Sequence, residues 1–185
     1  YDLKLLRTQG KRGLQSVRGR ILYDFSGNAC EGYVLQFRQV SELDTGEGKV
    51  ALSDLRASTW EDGAAKDFRF SSQNYVNDQM ANNVDGRAER STDKVAVGLT
   101  KPKQENFNLE ADIVFPTEHM RRIIEAAREG KGMLEFLVYD GSENGEHVYN
   151  TLTVIGREIP ASESSPADAT AGQTALAGLK RWPVT

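Results

Sequence analysis

Few residues in this chain have chemistry to offer. Cys30 is the only cysteine, and His119 and His147 are the whole histidine supply. A thiolate–imidazole pair of Cys30 with either histidine would make a nucleophile, but no local signature of a cysteine hydrolase surrounds it. Zinc chemistry needs ligands at recognisable spacing, and neither HExxH nor paired cysteines occur. A serine nucleophile would need a base and an orienting acid. Ser58, before Thr59-Trp60, sits in no GxSxG elbow and reads as strand surface. Gly10-Lys11-Arg12-Gly13 is too short for a phosphate cradle. The loop Asp140-Gly141-Ser142-Glu143-Asn144-Gly145 sets oxygen side chains at alternate positions, as the start of a calcium loop does. Its twelfth position is Thr151 instead of a bidentate carboxylate, so a solvated hairpin loop is expected. No catalytic residue, metal or cofactor is assigned, and a hydrolase is only a remote alternative.

Bulk properties narrow the partners open to the chain. The 185 residues are 38% hydrophobic and 27% charged, which suits one globular domain. The net charge of −4 and the scattered basic spots Lys11-Arg12, Arg18/Arg20, Arg121-Arg122 and Lys180-Arg181 argue against nucleic acid, whose binders concentrate cations on one face. No run reaches the roughly 18 to 20 apolar residues of a membrane-spanning helix. The opening Tyr1-Asp2-Leu3 lacks an initiator methionine, so a processed or trimmed product is expected. A lone cysteine is a small buried hydrophobe in a cytosolic protein, whereas in an exported one it suggests a partner elsewhere.

The elements that would position a binding surface follow a period of two. Val17, Gly19, Ile21, Tyr23 and Phe25 point one way and Arg18, Arg20 and Asp24 the other, with Leu22 the exception. Tyr33/Leu35/Phe37, Phe68/Phe70, Val95/Val97/Leu99, Phe107/Leu109/Ala111/Ile113/Phe115, Leu134/Phe136/Val138 and Val148/Leu152/Val154 repeat the rhythm. Asp62-Gly63, Asp85-Gly86, Asp140-Gly141 and Asn144-Gly145 tolerate left-handed backbone and should mark sheet edges or hairpin ends. So many strands predict a mainly β chain: a large antiparallel sheet that curls strongly into a spiral or half-open barrel. One segment breaks the rhythm. Met120, Ile123, Ile124 and Ala127 fall at i, i+3, i+4 and i+7, predicting an amphipathic helix over about 117–129, capped by Thr117 and closed by Gly130 or Gly132. That stripe should cover the concave side of the sheet. Residues 158–174, rich in Pro, Ala and Ser, read as a mobile loop. The ending at Leu176, Leu179, Trp182 and Val184 suggests a single domain that continues past Thr185.

Tyr23, Phe25, Tyr33, Phe37, Phe68, Phe70, Phe107, Phe115 and Phe136 fall on the inferred inner face. They form a packed core if the sheet closes. If it curls without closing, they line an apolar cleft for an acyl chain or the flank of another protein.

The segments Tyr1-Asp2-Leu3, Gly27-Asn28-Ala29-Cys30-Glu31-Gly32-Tyr33, Ser58-Thr59-Trp60-Glu61-Asp62-Gly63, Phe68-Arg69-Phe70 and Phe115-Pro116-Thr117-Glu118-His119 together resemble the EipB family of alphaproteobacterial cell-envelope integrity proteins. The resemblance covers the whole chain. It implies a periplasmic, non-enzymatic protein with a spiral-like half-open barrel similar to the periplasmic lipoprotein carriers. It also implies a disulfide from Cys30 to a second cysteine in a carboxy-terminal third that this chain lacks. Such a bond would close a long loop and contribute about 4 to 5 kcal/mol in the chain-entropy model. The expected partners are a lipid, a lipoprotein or an envelope protein. A carrier that transfers its cargo, with the helix as lid, is the alternative.

Overall fold

A computed structural model of the chain describes residues 1–7, 15–44, 46, 50–160 and 178–185. Eight strands, β1 (Asp2–Lys4), β2 (Ser16–Asn28), β3 (Gly32–Asp44), β4 (Val50–Glu61), β5 (Asp67–Val76), β6 (Gln79–Arg90), β7 (Lys94–Lys101) and β8 (Glu105–Glu110), form one sheet in sequence order. Every neighbouring pair is antiparallel, and β1 does not pair with β8, so the curled sheet stays open. Helix α1 (Pro116–Arg128) follows, then a two-stranded ribbon of β9 (Met133–Val138) and β10 (Tyr149–Val154).

The pairing register carries the alternation of single strands across the whole sheet. Tyr23 lies opposite Phe37, Phe25 opposite Leu35, Phe37 opposite Ala57 and Leu35 opposite Thr59. Thr59 faces Phe70, Glu61 faces Phe68, and the line runs on through Gly86 and Ala88 to Leu99 and Val97, with Phe107 last. Directly opposed residues share a face. Tyr23, Phe25, Tyr33, Phe37, Phe68, Phe70 and Phe107 therefore share one side, and Leu22, Arg38, Arg56, Arg69 and Arg87 share the other, with Tyr75 beneath Arg56.

The buried core occupies only part of the inner side. Phe68, Phe70, Val84, Val95, Val97 and Leu99 pack with Ile113, Phe115 and Tyr139 at the β5–β8 end. Phe68 stacks on Phe115 with ring centroids 5.0 Å apart, and Tyr139 meets Phe68 and Phe70 edge-on. A second cluster of Ala126, Ala127 and Ile155, with Ile123, Leu134 and Trp182 against it, joins the helix to the ribbon.

Several sequence expectations change. Val50–Glu61 and Gln79–Arg90 are long strands without a clear apolar alternation: Leu52 and Leu55 lie on opposite faces of β4, and β6 is mostly polar. The strand expected through Ala111, Ile113 and Phe115 ends at Glu110, because Ile113, Val114 and Phe115 are consecutively buried after a turn. Asp85-Gly86 marks no hairpin. It sits at a register shift in β6, where a Cβ on Gly86 would lie 2.6 Å from the Phe70 ring. The β5–β6 hairpin instead turns at Asn77 and Asp78, both with left-handed φ. Of the loop expected over 158–174, residues 161–174 lie outside the described residues, as does Gly10-Lys11-Arg12-Gly13. Ile159 bridges Arg181, and Val184 bridges Ile155.

Candidate functional site

Where the core stops, the inner face opens into a trough. A cavity of about 530 Å3 lies between β3–β5, Pro116 at the start of α1, and the loop from Asp140 to Glu143. Its floor is Leu35, Phe37, Leu55, Ala57 and Phe70, and Ser72, Asn74 and Asn82 follow on β5 and β6. Beyond the cavity the same face continues onto β2 with Tyr23, 46% exposed, and Phe25, 41% exposed. Phe25 stacks on Tyr33 at 5.8 Å with the rings nearly parallel. Large exposed aromatic residues on a sheet's concave side leave apolar surface unburied, which an isolated surface leucine would not explain.

The nine aromatic residues thus separate. Phe68, Phe70, Phe107 and Phe115 belong to the packed end, although Phe70 still edges the cavity. Tyr23, Phe25, Tyr33 and Phe37 belong to the open end. Phe136 belongs to neither: it lies on β9, edge-on to His119 at 5.4 Å and beneath the Arg122 guanidinium at 5.5 Å. The helix stripe also divides. Met120 reaches the trough, with its Sδ 4.0 Å from the Tyr23 hydroxyl. Ile123 and Ala127 pack into the second cluster toward the ribbon, and Ile124 is 47% exposed. The helix borders the trough by its first turns because its other flank is taken by β9.

Helix α1 is fastened by residues that sequence periodicity could not pair. Phe115 occupies its N-cap position without a side-chain bond, so Thr117 is not the cap. The carboxylate of Glu61, at the end of β4 and 2% exposed, accepts the backbone N–H of Thr117 at 2.7 Å and of Glu118 at 2.8 Å. A distant acid therefore satisfies donors that an N-cap side chain normally takes. Burial pushes the Glu61 carboxyl above its ordinary value, opposed by those two bonds. Arg90 donates to the Ile113 carbonyl at 2.6 Å and to Glu118 at 2.9 Å while lying over the Phe115 ring. Arg121 donates to the Gly63 carbonyl at 2.9 Å. The Gly130 and Lys131 N–H groups bond back to Ala127 and Ala126, and Gly130 takes φ 75°.

The acidic loop is a hairpin end that is solvated only in part, with Glu143 and Asn144 exposed. It joins the paired strands β9 and β10, but Gly141 and Gly145 are buried against the sheet. A Cβ at Gly141, whose φ is 68°, would lie 2.3 Å from the Phe70 ring, and one at Gly145 would lie 2.9 Å from Leu99. The Tyr139 hydroxyl donates to the Gly145 carbonyl at 2.6 Å, and burial pushes its pKa far up. Asn82 donates to the Glu143 carbonyl, and Ser142 hydrogen-bonds the Tyr149 hydroxyl at 2.9 Å. The loop thereby closes one end of the trough. The DG and NG pairs signalled the turns, but only the fold shows what their missing side chains accommodate.

Cys30 occupies the β2–β3 turn, exposed and free. The Asn28 side-chain carbonyl holds that turn by accepting the N–H groups of Cys30 at 2.8 Å and Glu31 at 3.1 Å. His119 rests on Phe136, with its pKa lowered by burial, and His147 sits 3.1 Å from Glu143. The three candidate nucleophile and base residues do not share a site. Among the described residues no group of three or more His, Cys, Asp or Glu could hold a metal ion, and no helix is long and apolar enough to cross a membrane.

One antiparallel sheet curled without closing, with a helix and a loop seated on its inner face, defines the class: a barrel-like protein with an open apolar trough. Within that class the chain belongs to the EipB-like family, whose model matches residues 1–185. It is 35% identical over its whole length to the cell envelope integrity protein EipB of Brucella abortus (strain 2308), and spans 64% of that relative's length. It also matches the crystal structure of a beta-barrel-like protein of a domain of unknown function from Brucella abortus. That match has 33% identity and a TM-score of 0.89, and covers all of this chain and 76% of the other.

Proposed function

We propose that the protein is a non-enzymatic periplasmic module that supports the cell envelope by binding a lipid, a lipoprotein or a protein partner in the trough. The observation that carries this reading is the half-filled inner face: Tyr23, Phe25 and Phe37 stand on the side that buries Phe68 and Phe70, yet Tyr23 and Phe25 stay exposed, with only Met120 of α1 reaching Tyr23, and Phe37 floors the cavity. A cavity of about 530 Å3 with an apolar floor is of a size for a small amphiphile or one acyl chain. The envelope-integrity name of the Brucella abortus relative supports the cellular setting.

The test is native mass spectrometry of the protein expressed into a periplasm, paired with displacement of an environment-sensitive fluorescent fatty acid. Bound acyl species that are lost in Phe37→Asp, with the melting temperature retained, are expected. A trough that binds no amphiphile and no envelope protein in the wild-type chain refutes the reading. The carrier alternative, in which α1 lifts to release cargo, has less support, because Glu61, Arg90 and Arg121 tie that helix down at its start. A disulfide between the helix and β2 that abolished transfer of a bound lipid to an acceptor would restore it.

A further inference from the structure

The two ends of the trough differ in chemistry. On β3 and β4 the floor is Leu35, Phe37, Leu55 and Ala57, with Thr59 beside them; toward β5, β6 and the closing loop, apart from Phe70, it becomes Ser72, Asn74, Asn82, Asp140 and Glu143. The pairing fixes that order, since Phe37 faces Ala57, which faces Ser72, and Leu55 faces Asn74, which faces Asn82. From β5 to β2 the inner face crosses three strand spacings, roughly 14 Å, ending on Tyr23 and Phe25. Among the described residues no lysine or arginine lines the cavity, and the charged residues that do are Asp140 and Glu143. Asp140 accepts the Ser142 N–H at 2.9 Å, and the His147 ring lies 3.1 Å from Glu143.

Resting on the trough as the binding site, we propose that its ligand is an amphiphile with one apolar chain lying across β4, β3 and β2. Its headgroup is cationic or rich in hydrogen-bond donors and sits at Asp140 and Glu143. A phosphate or carboxylate headgroup would meet two acids there, with the His147 ring beside Glu143 as the one neighbouring base and no lysine or arginine among the described lining residues, and like charges in a half-enclosed site repel more strongly than in bulk water. The amide carbonyls of Asn74 and Asn82 and the hydroxyls of Ser72 and Ser142 can accept from such a head. The charge pattern thus selects by exclusion as well as by attraction.

The experiment measures binding of three probes with one chain and different heads, each below its micelle concentration: dodecylammonium, dodecyl maltoside and dodecyl phosphate. Wild-type protein, the double variant Asp140→Asn/Glu143→Gln, and Asp24→Asn/Glu42→Gln as an equal charge change on the outer face are compared by calorimetry. Asparagine keeps the acceptor for the Ser142 N–H, and melting curves check folding. The wild type should bind dodecylammonium at least tenfold more tightly than dodecyl phosphate. That ratio should fall to within threefold in the loop variant and persist in the outer-face variant. Equal affinity for all three heads, or a cation preference that survives the loop variant, overturns the headgroup assignment and leaves the apolar trough standing. Failure of all three probes to bind overturns both.

Discussion

Replacing Glu61 tests the central packing argument, that a residue of the sheet starts the helix. In the native protein its carboxylate takes two N–H groups at the first turn of α1, and no local side chain caps them. Glu61→Ala leaves two buried donors unpaired, at about 1–3 kcal/mol each, offset in part by removing a buried carboxyl; a net loss of about 3 kcal/mol follows. Glu61→Gln keeps one acceptor oxygen and should cost about half as much. With a urea slope of about 2 kcal/mol per molar, Glu61→Ala should lower the unfolding midpoint by roughly 1.5 M. Amide exchange at Thr117 and Glu118 should accelerate ahead of the β5–β8 core, since the loss is local. The pH dependence has a definite sign. Burial raises the native pKa of Glu61 above its unfolded value, so between the two the native state holds a proton that the unfolded chain has released. Its contribution is complete below the ordinary glutamate range and is lost as pH rises through the native value. The stability gap between wild type and Glu61→Gln should narrow over that rise. If both variants unfold within about 0.5 kcal/mol of wild type, the helix start is satisfied by other groups and the reasoning fails.

The outer face offers a second titration. Arg38 and Arg56 lie directly opposite each other, and Asp54 holds both, with its carboxyl driven far below the usual range by the bonds from Arg38 and then Arg56. That stabilisation is present above the ordinary aspartate range and is lost as pH falls toward the native value, so Asp54→Asn should cost about 1 kcal/mol at pH 7 and progressively less on acidification in urea melts. Gly141→Ala should cost about 2–4 kcal/mol, or displace the loop and change probe affinity in the trough, because left-handed backbone and overlap with Phe70 coincide; an unchanged melting temperature would contradict the close approach. Cys30 should react stoichiometrically with a thiol reagent in the folded chain without denaturant, and protection would place it elsewhere than the exposed β2–β3 turn.

Alternating side chains were enough to read the antiparallel class, the curl and the shared inner face of Tyr23, Phe25, Tyr33, Phe37, Phe68, Phe70 and Phe107. Strand geometry turns a period of two directly into a choice of side, so this information is local. The helix was equally legible, to within a residue at each end, because a period of 3.6 needs no partner to be recognised. The strands β4 and β6 were hidden, since each puts apolar or polar side chains on both faces and only their neighbours impose the pleat. Tertiary structure alone decided which aromatic residues are core and which line a trough, because burial depends on what packs opposite. It also decided that Glu61 caps a helix more than fifty residues away, and that the glycines of an acidic loop press onto Phe70 and Leu99. Those pairings join groups distant along the chain, and no periodicity within one segment can encode a contact whose other half lies in another.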